Sequence, residues 1–122
     1  MSRSINKVIL VGNAGRDPDV QTTASGIRVA HVSLATSRRF NRDGAAEERT
    51  EWHRLTLWDR LAELAEEYVR KGDRLYVEGR IEYGSFEKNG MTIPTADIRV
   101  SLLAQVNLRS DMIGPTAQHF DL

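Results

Sequence analysis

Apolar and polar residues alternate along this chain in several short runs and switch to helical spacing only once. Lys7 to Val11 is β-branched and apolar and reads as a buried strand. Gly12-Asn13-Ala14-Gly15 and Asp17-Pro18 carry turn chemistry and are expected to end it. After Ser25-Gly26, Ile27 to Ser37 alternates, with Ala30, Val32 and Leu34 on one parity. Arg38 to Thr50 is polar and charged, contains Asp43-Gly44, and is expected to be an exposed loop. Glu51 to Trp58 alternates cleanly. His53, Leu55 and Leu57 take one face, and Trp52, Arg54, Thr56 and Trp58 take the other.

Asp59 stands where an N-cap belongs, and Leu61, Leu64, Ala65, Tyr68 and Val69 follow at the spacing of a helix lying on a core. Glu66 with Arg70 and Glu67 with Lys71 are candidate i, i+4 pairs, and Gly72 is the expected stop. Strand spacing resumes over Asp73 to Arg80 and Ile81 to Lys88, reaches the hairpin signal Asn89-Gly90, and returns over Met91 to Leu103. Pro94 cannot donate to a ladder, so it places that return strand at an edge or a bulge. Five strands with one helix between strands 3 and 4 predict an all-β fold with one helix, a small, partly open barrel.

The chain has 122 residues, enough for one domain, which is taken as continuous from about Ser4 to Arg109, with 110–122 as a short C-terminal tail. There is no cysteine, which excludes disulfides, thiolate metal sites and cysteine nucleophiles and favours a reducing cytoplasm. The N-terminal apolar run is too short for a signal segment or a membrane span, so no membrane partner is expected. Seventeen basic residues balance seventeen acidic ones, but unevenly. Residues 1–42 hold seven basic groups against Asp17 and Asp19, a balance of +5, and residues 43–69 hold three arginines against eight acids, a balance of −5. Arg outnumbers Lys fourteen to three, which suits bidentate phosphate pairing and stacking on rings.

Enzyme chemistry finds little footing. His31, His53 and His119 are scattered, no carboxylate array accompanies them, and no phosphate-loop or nucleophile-elbow pattern occurs. No catalytic residue, metal or cofactor is expected. The aromatic residues are more informative. Phe40 follows Arg38-Arg39, Trp52 and Trp58 bracket Arg54 with Arg60 just beyond, and Phe86 precedes Lys88 near a hairpin end. The opposite parity already supplies the core, so these rings either form a platform on which bases stack, with Arg and Lys tracking phosphate, or pack under a loop or against another subunit.

Several motifs then match one family in order and spacing. They are Asn6-Lys7-Val8-Ile9-Leu10-Val11-Gly12-Asn13, Arg16-Asp17-Pro18, Leu34-Ala35-Thr36-Ser37, Thr50-Glu51-Trp52-His53-Arg54, Tyr68-Val69-Arg70-Lys71-Gly72 and Val77-Glu78-Gly79-Arg80. Over residues 4 to about 103 the chain resembles the bacterial single-stranded DNA-binding proteins. The resemblance implies an OB-fold, a five-stranded Greek-key barrel. It also implies a homotetramer, a homo-oligomer around which single-stranded DNA wraps, and a cytoplasmic, nucleoid-associated role in replication, recombination and repair without catalysis. The family's base-stacking positions correspond to Phe40, Trp52, Trp58 and Phe86, and its basic positions to Lys7, Arg54, Lys71 and Arg80. Charge and neighbourhood add Arg3, Arg38, Arg39, Arg60 and Lys88. His53 falls near the family's subunit contact. Family members usually end in a long linker and an acidic tip that recruits replication and repair proteins. Residues 111–122 lack that tip, so replication and repair proteins stay possible partners without the usual acidic tip to recruit them. An alternative reading is an OB-fold accessory subunit of a replisome or primosome that binds DNA weakly.

Overall fold

The computed structural model describes residues 3–106, and the tail expected at 110–122 lies outside them. Six strands and one helix follow in chain order: β1 Val8–Ala14, β2 Asp19–Thr22, β3 Arg28–Arg42, β4 Ala45–Trp58, α1 Arg60–Tyr68, β5 Arg74–Lys88 and β6 Met91–Gln105. They form one sheet in the order β1-β5-β6-β4-β3-β2, and a further pairing of β1 with β3 closes β1, β3, β4, β6 and β5 into a five-stranded barrel. This is the expected OB-fold, with the helix between its third and fourth barrel strands. The four-residue β2, which the turn-rich sequence around it conceals, pairs along the outside of β3 from Asp19↔His31 to Thr22↔Arg28.

The closure depends on two glycines. A Cβ on Gly12 would stand 2.2 Å from the carbonyl oxygen of Ala35 on β3, and one on Gly79 would stand 2.2 Å from the carbonyl oxygen of Arg99 on β6. Backbones this close exclude any side chain. Gly12 therefore lies inside β1, which runs on to Ala14, where a turn was expected after Val11. β1 is also only partly buried: Leu10 faces the core side, and Ile9 is 54% exposed.

The alternation read from the sequence is the alternation of burial. Leu34, Leu55, Leu57, Leu75 and Val77 are fully buried, along with Val32, Ile98 and Val100 from the same walls. Removing a side chain of this size from water contributes roughly 1.5–3 kcal/mol each. Helix α1 packs against β3, β4 and β6. It buries Ala62 and Ala65, while Tyr68, expected in the stripe, is 57% exposed. The small alanines let the helix come close to the barrel. Asp59 holds the N-cap position without a side-chain capping bond, and its backbone has φ 55°. The expected helix-surface pairs are replaced by others. Glu66 pairs with Arg28 on β3, and the Arg70 guanidinium donates to the Glu66 and Val69 carbonyls, 2.8 and 2.6 Å away, satisfying the helix C-terminus. Among the described residues no ion pair joins Glu67 to Lys71.

Arg38 to Thr50 is not a loop. β3 and β4 pair without interruption to Arg42↔Ala45, and Asp43 and Gly44 turn the chain at φ 51° and 80°. Both central residues lie at positive φ, the conformation whose twist suits a two-residue hairpin. The arm is exposed along almost its whole length, so no apolar alternation marks it. The second hairpin turns at Asn89-Gly90 as expected, with φ 53° and 77°. Pro94 lies opposite Ser85 on β5, outside the stretch Asp97–Arg99 where β6 also borders β4. That is an edge position, as its missing N–H requires.

Candidate nucleic-acid interface

On β4 the polar parity faces outward, and the neighbouring strands add residues row by row. Trp52 stands opposite Ala35, Arg54 opposite Ser33 and Asp97, Thr56 opposite His31 and Arg99, and Trp58 opposite Val29. The next strand continues the rows with Glu82 opposite Asp97 and Arg80 opposite Arg99. The result is a face in which two indoles bracket a polar band.

Trp52 is 63% exposed and rests on Gly15, where a Cβ would come within 2.5 Å of its ring. A side chain at Gly15 would have to push the indole away. The segment below is tied down by backbone bonds from Gly15 N–H to the Ser33 carbonyl, 2.9 Å, and from Ala14 N–H to the Asp73 carbonyl, 2.9 Å. The Asp17 carboxylate accepts from the Lys71 backbone N–H at 2.8 Å, and Asp73 accepts from the Arg70 N–H at 2.8 Å. These bonds tie the segment under the ring to β3 and to the turn after α1.

Three depressions adjoin on this side of the barrel. The first, about 290 Å³, is lined by Arg16, His31, Trp52, His53 and Arg54, among others. The second, about 340 Å³, holds His31, Trp58, Tyr83, Asp97 and Arg99. The third, about 530 Å³, includes Lys7, Arg80 and Arg99. His31 is shared by the first two and Arg99 by the last two, so the three form one path across the face.

Charges along the path are interleaved. Arg54 stands 3.5 Å from Asp97, Lys7 3.4 Å from Glu78 and Arg80 3.9 Å from Glu82. Arg99 lies over the Trp58 ring, 5.5 Å from its centroid. The Glu78 carboxyl is held below its ordinary 4.5 first by the Tyr76 hydroxyl, which donates to it at 2.5 Å, and then by Lys7, against the opposing effect of desolvation. The same bond raises the Tyr76 phenol.

Of the residues expected at the site, Trp52, Arg54, Trp58, Lys7 and Arg80 border the path. Phe86, 48% exposed, shares the β5 parity of Arg80 and stands farther along the second arm, with Lys88 at its end. Phe40 is different. It has the parity of Val32 and Leu34, so on the first arm it takes the opposite face of the ladder from Trp52, with Arg38 5.3 Å from its ring centroid. Arg39 pairs with Glu48 at 3.4 Å on the other parity of that arm. Arg60 pairs with Glu63 at the start of the helix, 3.4 Å, and does not border the path. Lys71 is exposed, its backbone N–H bonded to Asp17, and does not line the three depressions, and Arg3 is exposed ahead of β1. His53 is half-buried on the core parity, its Nε2 2.8 Å from the Thr36 hydroxyl.

No sequence pattern marks Arg16, His31, Tyr83, Asp97 or Arg99 as site residues, yet all five line the path. The last two arrive through the parallel pairing of β6 with β4, which no local pattern signals. Among the described residues no group of three or more His, Asp or Glu side chains is placed to hold a metal.

A closed five-stranded barrel whose outer face carries one exposed and one half-buried indole among arginines belongs to the class of oligonucleotide-binding barrels. The sequence model of the single-strand binding protein family matches residues 5–107, and the chain belongs to that family. It is 45% identical over 113 residues to the single-stranded DNA-binding protein of Xylella fastidiosa, covering 91% of this chain and 69% of that protein. It is 54% identical over 87 residues to the single-stranded DNA-binding protein of Xanthomonas axonopodis pv. citri, covering 70% of this chain and 48% of that protein, so the chain spans about half the length of that relative. A solved structure of the Plasmodium falciparum SSB in complex with ssDNA superposes with a TM-score of 0.81 at 29% identity, covering 88% of this chain and 99% of that one. One of the Thermus aquaticus single-stranded DNA-binding protein superposes at 0.76 with 31% identity, covering 89% and 54%.

Proposed function

We propose that this chain binds single-stranded DNA with little dependence on sequence, coating transient single strands in replication, recombination and repair without catalysis. The observation that carries the reading is the continuous path from Trp52 past His31 and Trp58 to Arg99, Arg80 and Lys7. Every base has a π-face, so stacking on exposed rings is indifferent to sequence and contributes about 1–3 kcal/mol per base. Guanidinium and ammonium groups beside the rings hold the phosphates and release counterions. A base that takes the place of the guanidinium on Trp58 frees Arg99 for a phosphate. The acids interleaved along the path restrain its pull on duplex DNA, whose bases are not available to stack.

The homotetramer expected for the family is part of this proposal. It is supported by the exposed apolar side chains of Ile9 on β1 and Ile5 just ahead of it, which single-chain folding leaves uncovered. Light scattering on the free protein tests it, and a monomer at micromolar concentration would contradict it.

Fluorescence anisotropy of a labelled dT oligomer, with duplex of equal length as competitor, tests the binding reading. Saturable binding that duplex does not displace is expected. Equal displacement by duplex, or no binding, would overturn it.

A further inference from the structure

The middle depression has features that stacking and phosphate binding leave unused. Trp58 and the 80%-exposed Tyr83 both line it, so an aromatic platform is present, but two of its polar residues are carboxylates, Asp97 and Glu82. Carboxylates repel phosphate. They accept hydrogen bonds from amino groups on base edges, and a carboxylate taking the N4 amino group of cytosine is one of the standard pairings by which proteins read bases. Unstacked single strands present that edge freely.

A second observation points to the same place. Three buried side-chain polar atoms among the described residues have no hydrogen-bond partner: His31 Nδ1, Arg74 Nε and Asp97 Oδ1. Two of the three residues border this one depression. Asp97 Oδ1 has only the Arg54 Nε at 3.5 Å, outside good hydrogen-bonding geometry, while the side chain as a whole stays one-third exposed at 33%. The buried oxygen is out of a ligand's reach, so the exposed third of the carboxylate side chain is the part that meets the depression.

We infer that the Asp97 carboxylate reads the exocyclic amino group of a base stacked at Trp58, giving an otherwise sequence-tolerant surface one position that favours cytosine over thymine. Thymine carries a carbonyl where cytosine carries the amino group, and sets an acceptor against the carboxylate. Glu82 and His31 flank the same edge, and Arg99 offsets the charge of the two acids. This inference rests on the single-stranded DNA reading above.

The test measures affinity of the full chain for a dT tract and for a tract in which alternate residues are dC. Intrinsic differences in strand flexibility affect every variant alike, so the readout is the change in the ratio of the two affinities. Asp97→Ala is expected to lower the preference for the dC-containing tract about fivefold or more, consistent with a single base-edge contact. Its affinity for dT is expected to rise or hold, because a repulsive charge is gone. Asp97→Asn, of the same shape, guards against a folding defect. Its amide can donate to the thymine carbonyl, so the preference moves toward dT. Glu48→Ala removes an equal charge from the first arm and leaves the ratio unchanged. Failure of the wild type to bind dT would overturn the single-stranded DNA reading and this inference with it. Firm binding to dT with a ratio that neither Asp97 variant moves would overturn the base-edge assignment alone.

Discussion

Each of the two long hairpins is buried at one end and bare at the other, and the two ends are held by different forces. Where β3 and β4 form the barrel wall, Val32, Leu34, Leu55 and Leu57 lie at 0–3% exposure. Beyond Ser37 and Thr50 the same two strands continue for five more paired positions to the turn with nearly every residue exposed. The wall is fixed by burial, and a slip of one residue would turn its leucines to water. The arm has only its backbone ladder, its turn and weak surface pairs such as Arg39 with Glu48. A rigid wall carrying Trp52 and Trp58 is suited to preformed stacking. An arm with so few buried contacts is expected to open more readily than the wall.

The largest break in this contrast comes from the wall. Leu55→Ala is expected to lower the free energy of unfolding by about 2–5 kcal/mol in urea titrations, because it opens a cavity among fully buried neighbours. Glu48→Ala, at an exposed place on the arm, should stay within about 0.5 kcal/mol. Comparable losses for the two would erase the distinction.

Next in size is an effect on binding alone. Trp52→Ala is expected to weaken single-stranded DNA binding by about 1–3 kcal/mol at fixed salt while the melting temperature holds, since the ring is mostly exposed. Phe40→Ala, on the other face of the ladder, should matter less for oligomers too short to reach the arm. A larger effect from Phe40 would move the centre of the site from the wall to the arm.

Gly44→Ala sharpens the comparison further. The residue sits at φ 80°, where an alanine costs about 1–2 kcal/mol. The expected result is faster amide hydrogen exchange confined to residues 38–50, with the barrel amides unchanged. Uniform acceleration would mean that arm and wall unfold together.

The smallest effect is electrostatic. The Glu78 carboxyl has a folded-state pKa below its ordinary 4.5, so its contribution to stability is fully present above that value and is lost as pH falls through the lowered one. Glu78→Gln should therefore be less stable than the wild type at neutral pH, and the gap should close on acidification below about 4.5. Urea midpoints over a pH series measure it. A gap that is constant with pH would remove the Tyr76 and Lys7 contacts as its cause.

The same division explains what could be read from the sequence. Leu55 and Leu57 alternate because the wall has a dry side, so β4 was plain in its second half and invisible in its first. The arm at 38–50 reads as a loop because neither of its faces is buried, and Asp43-Gly44 alone marks its turn. Asn89-Gly90, a stronger turn signal, made the equally exposed second arm legible. Trp52, Arg54 and Trp58 could be placed on one face because they sit on one strand. Asp97 and Arg99 come from β6, separated from β4 by the helix and β5, and their approach to Trp58 is a product of barrel closure. Gly12 looked like a turn because its role, letting β1 cross against Ala35, exists only in three dimensions.

The central claim is that Trp52 and Trp58 form a preformed stacking path along which arginines hold phosphate. Tryptophan fluorescence followed during titration with dT oligomers of increasing length, at low and high salt, tests it most directly. Strong quenching that saturates with oligomer length and weakens at high salt is the predicted result. Binding without any quenching, or fluorescence that stays flat at every length, would contradict it.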